Sequence, residues 1–318
     1  MFKKILLAAA ISAASVPALA VPGPVEFDFD GAGGVLTWET LNNITWQPSS
    51  TLVTTIEGGA ASAPNVGDIF QTYSHASFNF AQLGALGAAL GEWTFVAGFR
   101  EVVTSIGAAI DGKVTANFET VAGGINFFQI YRSAYDSNDL TGKNFNNGTL
   151  VLEGSVLAGD QTSFTRDFGT PASDLDQFGT NNYPDIDTVS GEGGGGITVE
   201  INSVNGNFLR GIAGGALLNL FFTSEFSLPY LDGGNSPSSC FWDGSAYISG
   251  PGQPNTGGGC DGNNVGTVNG DNGQYLMFQT IASSTFDTGR VPEPGSLALM
   301  GAALGALSFA ARRNGKKA

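Results

Sequence analysis

A side-chain period of two governs the middle of this chain. Val25-Glu26-Phe27-Asp28-Phe29-Asp30 alternates without error, setting three apolar side chains against three carboxylates. Trp93, Phe95, Ala97 and Phe99 repeat the pattern, as do Val114, Ala116 and Phe118. Ile197, Val199 and Ile201 do so again, with Thr198, Glu200 and Asn202 between them. An extended chain sends successive side chains to opposite faces, whereas a helix returns to one face every three or four residues, so these runs are strands. More continuous apolar stretches at 125–131, 149–157, 216–226 and 275–281 read as buried strands. Asn146-Asn147-Gly148, Gly123-Gly124 and Asn205-Gly206 supply turns between them.

The expected fold is all-β: an antiparallel β-sandwich, jelly-roll-like, with long Gly/Asn-rich loops. The one helical spacing in the body, Leu83, Leu86 and Leu90, is interrupted by Gly84 and Gly87, each costing roughly 1 kcal/mol relative to alanine. Residues 173–196 and 232–273 read as long loops; the first ends in Gly193 to Gly196, and the second holds 12 glycines in 42 residues. Ordered loops of that length usually carry function or are clamped.

The two ends are addresses rather than parts of the fold. Residues 1–20 form a signal peptide: Lys3 and Lys4 precede an apolar run, and Ala18-Leu19-Ala20 supplies small residues, with Ala18 and Ala20 framing the cleavage site. The exported domain then spans 21–289, and 290–318 forms the second signal. There Pro292-Glu293-Pro294 is followed by 17 uncharged residues and by Arg312, Arg313, Lys316 and Lys317. This is a hydrophobic helix near the lower length limit for spanning a bilayer, expected to anchor the protein in the inner membrane.

Charge sharpens once the ends are set aside. The whole chain carries 13 basic and 28 acidic side chains, net −15; residues 21–294 keep 7 of the basic and all of the acidic ones, net −21. No basic face exists to neutralise phosphates, so nucleic acid is excluded as a partner. Attraction to any acidic polymer would have to run through bridging cations.

Cys240 and Cys260 are the only cysteines, and in an oxidising compartment they read as a disulfide. No catalytic constellation assembles. Gly191-x-Gly193-x-x-Gly196 has the letters of a dinucleotide fingerprint, but strand-patterned sequence follows it where a helix is required. Asp287-Thr288-Gly289 has no second copy to share a proton with. His75, the only histidine, sits in a strand-like run and reads as a surface or rim residue. Paired-carboxylate glycoside hydrolysis stays open as a secreted-hydrolase alternative, because 28 acids offer many pairs.

Calcium is the cofactor candidate, since hard cations take Asp, Asn and backbone oxygens on Gly-rich loops. The candidate ligands are Asp261, Asn263, Asn269 and Asp271, with Asp28 and Asp30, Asp136, Asn138 and Asp139, and Asp185 and Asp187 as further sets. Turn formation explains the same residues. For carbohydrate, aromatic platforms are needed: Trp38, Trp46, Trp242 and Tyr183 are available, and Trp242, beside Cys240, is the leading candidate, while core packing explains tryptophans equally.

The Pro292-Glu293-Pro294 motif, hydrophobic helix and basic tail together resemble the PEP-CTERM sorting signal of Gram-negative bacteria. That resemblance implies processing by an exosortase, a membrane-embedded, cysteine-type transpeptidase-like enzyme, near the motif. The body also resembles flocculation-associated PEP-CTERM proteins. The stretches that carry the likeness are 27–33 (Phe-Asp-Phe-Asp-Gly-Ala-Gly), 67–73 (Gly-Asp-Ile-Phe-Gln-Thr-Tyr), 93–99 (Trp-Thr-Phe-Val-Ala-Gly-Phe) and 175–184, around Gln177-Phe178. Asn181 stands where that pattern has an aspartate. The resemblance implies a non-enzymatic protein at the cell surface or in the extracellular matrix, associated with exopolysaccharide and cell aggregation. The alternative is a lectin-like module using Trp242 and bound calcium.

Overall fold

In the computed structural model, described residues are 25–33, 38–41, 43–61, 63–78, 91–134, 136–168, 190–212, 214–226, 237–249, 260 and 275–287. The signal peptide, the helical spacing of Leu83, Leu86 and Leu90, the calcium candidates Asp185, Asp187, Asp261, Asn263, Asn269 and Asp271, Tyr183, and the C-terminal helix with its flanking Pro292, Glu293, Pro294, Arg312 and Arg313 lie outside them.

The described residues contain strands and turns, as the alternation requires. The strands are β1 (Glu26–Asp28), β2 (Trp38–Thr40), β3 (Asn43–Thr45), β4 (Ser49–Glu57), β5 (Ile69–Ser77), β6 (Glu92–Ile106), β7 (Lys113–Val121) and β8 (Phe127–Ser133). They continue with β9 (Thr149–Val156), β10 (Gln161–Asp167), β11 (Ser190–Val204), β12 (Leu209–Arg210), β13 (Leu217–Phe226), β14 (Cys240–Trp242), β15 (Tyr247–Ser249) and β16 (Tyr275–Asp287). The four continuous apolar runs became β8, β9, β13 and β16, within a few residues of their sequence limits except at the end of β16. Both loop readings fail in part: the segment 232–273 contains the pair β14 and β15. Residues 190–196, read as the end of a loop, are the first half of β11, with 191–195 paired on both sides.

Eleven strands form one antiparallel sheet in the order β10-β7-β6-β5-β4-β16-β13-β11-β9-β8, with β3 joined to β16. Two further pairings, β6–β8 and β10–β11, close it on itself. The long strands β6 and β11 make this closure by changing partners halfway. Residues 92–98 of β6 pair with β8 and residues 100–106 with β7. Residues 190–195 of β11 pair with β10 and 199–204 with β9. The layers of the expected sandwich are thus joined at both edges, which pairs β8 and β10, the ends of the strand order, on both sides.

The enclosed space has two levels. Around β8 and β9 it is filled: Trp46, Phe95, Ala97, Phe128, Ile130, Ile197, Val199 and Ile201 are all buried there. The small sheet β12-β1-β2 adds Phe27 and Phe29 to this core, their ring centroids 6.0 and 5.2 Å from Trp93. Between β7 and β10 the space is incompletely filled, and this is where the site lies.

Candidate functional site

The unfilled level follows from the same alternation that built the strands. In β10, Thr162 and Phe164 share a face, and their partners are Phe118 and Ala116 on one side and Gly195 and Gly193 on the other. Glycine opposite phenylalanine lets the ring lie over the neighbouring backbone, and here it leaves room inside the sheet. The result is a cavity of about 90 Å³. Six phenylalanines line it, and they meet as ring pairs: Phe70 with Phe118 at 6.2 Å, Phe99 with Phe222 at 6.2 Å, and Phe164 with Phe278 at 6.3 Å.

Two sets of polar groups interrupt this apolar wall. Thr51 Oγ1 lies 2.9 Å from Ser74 Oγ and 2.8 Å from Thr280 Oγ1, a hydroxyl belt satisfied within itself. The other is Glu101, buried among the phenylalanines with 7% of its surface exposed. Thr72 Oγ1 donates to Oε2 at 2.9 Å, and the Thr162 hydroxyl donates to Oε1. Burial pushes its carboxyl above the usual range, while these two hydrogen bonds pull the other way. Glu101 did not emerge from the sequence motifs, yet its signal was present: the inward series Trp93, Phe95, Ala97 and Phe99 continues to Glu101 and Val103.

On the outer face of β4, β5 and β16 a second layer is held down by the β14–β15 hairpin. Phe241 and Ile248 pack on Leu52, Tyr73 and Met277. Cys240 and Cys260 form the expected disulfide, with their Cα atoms 5.3 Å apart, tethering the hairpin within the segment read as one long loop. His75 lies beneath this layer, stacked on Phe145 at 4.1 Å and tilted against Phe241 at 4.9 Å. It is 1% exposed, so its reading as a surface or rim residue is corrected. The alternation in β5 sends His75 outward from the lumen, but the hairpin covers that face. Burial lowers its pKa from 6.5 to about 3.

His75 Nε2 is 3.0 Å from Ser238 Oγ, the spacing of a nucleophile and its base. The proton runs the wrong way for that chemistry. Ser238 Oγ donates to the Asp139 carbonyl, which leaves it to accept from a His75 Nε2–H. With Ser238 wholly buried, the pair is a structural bridge.

Several carboxylates proposed for calcium serve the chain's own turns. Asp28 was placed on the polar face by its alternation, but it is fully buried. Its oxygens accept from the backbone amides of Asp30, Gly31 and Gly33 at 3.3, 3.2 and 2.8 Å. Asp30 accepts from Ala32 N at 2.8 Å, and Asn138 Oδ1 from Thr141 N at 2.9 Å. Asp136 accepts from Asn147 Nδ2 at 2.8 Å. Asp139 accepts from Ser49 Oγ at 2.9 Å, and burial, helped by the charge of Glu92, raises its carboxyl to about 6 against the opposing pull of that bond. Among the described residues no three His, Cys, Asp or Glu side chains converge on one point.

The tryptophans divide. Trp46 and Trp93 are core, each 1% exposed, with Trp46 Nε1 donating to Ser284 Oγ at 2.7 Å. Trp38 is half-buried under the Arg210 guanidinium, 3.7 Å from the ring centroid. Trp242 is half-buried, edge-on to Tyr247 at 5.5 Å and packed beside Phe127 and Phe145.

Beyond the sheet, residues 290–314 match the family model of the PEP-CTERM protein-sorting motif. The match contains Pro292, Glu293, Pro294, Arg312 and Arg313. The motif indicates export across the inner membrane of a Gram-negative bacterium to the cell surface, with processing by an exosortase. No curated protein and no solved structure matches the chain.

Proposed function

We propose that the exported domain is a non-enzymatic surface protein, retained at the extracellular polysaccharide matrix, where it promotes cell aggregation. The sorting motif at 290–314 carries this reading, because it directs export to the cell surface, where such a matrix is built. The disposition of buried titratable groups supports it. His75 and Asp139 are tied to hydroxyl partners under the hairpin layer, and Glu101 sits across the sheet inside the lumen. Strand closure and the disulfide suit a protein that works outside the cell without chaperones to refold it. The body's net charge of −21 couples it to an acidic polysaccharide through shared divalent cations.

Co-sedimentation of the full chain with exopolysaccharide from the producing cells tests this. Calcium should raise the bound fraction, chelator should release it, and no new reducing ends should form. New reducing ends would overturn the non-enzymatic assignment. A chain left in the supernatant with calcium present would overturn the matrix assignment.

A further inference from the structure

We infer that the lumen binds a small organic cation, its ammonium group paired with Glu101 and its hydrocarbon part held among the phenylalanines. This goes beyond the surface role above and does not depend on where the protein is sorted.

The first argument is room. A cavity of about 90 Å³ exceeds several-fold the roughly 10–15 Å³ that one water occupies on this measure. Space of this size in a sheet interior is normally lost to larger side chains, because protein cores pack as densely as organic crystals. Here the backbone keeps it open. Gly193 and Gly195 occupy wall positions whose neighbours in register are Phe164 and Phe222.

The second argument is charge. Among the described residues that line the cavity, Glu101 alone is ionisable. Its two oxygens are oriented by Thr72 and Thr162, which are neutral donors and supply no countercharge. A buried carboxyl without a cation is costly, and burial accordingly raises its pKa. A ligand bearing a positive charge removes that cost on binding. An anion is repelled by Glu101, and a neutral apolar molecule leaves the carboxyl as unpaired as before.

The third argument is the wall. Aromatic faces carry partial negative charge and attract cations within about 6 Å, most strongly where water is excluded. Three phenylalanine pairs drawn from six strands line the same cavity as the carboxyl. An alkylammonium ion satisfies both features at once: the nitrogen on Glu101, the methylenes against rings.

Thermal-shift and calorimetric titrations of the full chain with butylammonium, butanol and butyrate test the assignment. Butylammonium should bind saturably and raise the melting temperature, butanol should do so far less, and butyrate not at all. Glu101→Gln, which keeps the shape and one threonine bond as it stands while the other hydroxyl turns to accept from the amide, should weaken butylammonium binding about tenfold while leaving butanol unchanged. Equal shifts for the three probes, or none with any of them, would overturn the proposal on the wild type alone, whether or not the variant folds. Undiminished butylammonium binding to a folded Glu101→Gln variant would overturn the role of the carboxyl.

Discussion

His75 Nε2 and Ser238 Oγ lie 3.0 Å apart across 163 residues of chain, and the bond fastens the hairpin layer to the sheet. The imidazole is held neutral between Phe145 and Phe241, with its pKa lowered from 6.5 to about 3.

The sign of the pH dependence follows. Above pH 6.5 both folded and unfolded chains carry a neutral His75, and its contribution is intact. As pH falls below that, the unfolded chain takes up the proton first, and stability drops by about 1.4 kcal/mol per pH unit until the folded pKa is reached. His75→Gln retains a donor for Ser238 but does not titrate. Urea denaturation at about pH 7 and about pH 4.5 should show a shallower acid loss in this variant than in the wild type.

Glu101 pulls the opposite way. Its carboxyl is raised by burial, so the folded chain holds the proton longer than the unfolded one. The stability it contributes is complete below the unfolded pKa and is lost as pH rises through the folded value. Glu101→Gln should leave the melting temperature unchanged in acid and raise it progressively toward neutral pH, as followed by circular dichroism.

Gly195 tests the packing of β11. A Cβ there would stand 2.6 Å from Thr162 Cγ2 and 2.7 Å from Thr162 Cα, so the β10–β11 ladder must part to admit it. Gly195→Ala should cost about 1–3 kcal/mol. Gly206→Ala, where a Cβ meets nothing within 4 Å, should stay within about 0.5 kcal/mol of wild type in the same denaturation experiment.

Reducing Cys240–Cys260 removes the tether on the β14–β15 hairpin. With a sequence separation of 20, the constraint is worth about 3 kcal/mol. The double Cys→Ala variant should lose about 3 kcal/mol of unfolding free energy in urea denaturation, and amide exchange in β5 should accelerate where the hairpin covers it.

These residues also show how far the sequence could be read. Alternation located β6, β7 and the second half of β11 because each strand has one apolar face. It failed at 190–196, where glycine has no side chain to alternate, and at His75, whose outward face is covered by a hairpin far along the chain. Closure by β6–β8 passes over β7, and β10–β11 pairs across residues 168–189, so no tight-turn signal announces either pairing. Glu101 was legible in principle, as a charged residue on the inward parity of an otherwise apolar series. The cavity was not, because it depends on Gly193 and Gly195 facing phenylalanines from other strands.

The central claim is that the 290–314 signal delivers an aggregation-promoting body to the matrix. The direct measurement is the settling rate of cells whose own copy is replaced by the full chain, by a chain ending at residue 289, or by a Pro292→Ala, Glu293→Ala, Pro294→Ala triple variant. Surface-exposed protein is quantified in parallel. The account predicts rapid settling and surface protein with the full chain, and dispersed cells with unsorted protein in the other two. Equal settling in all three strains would contradict it.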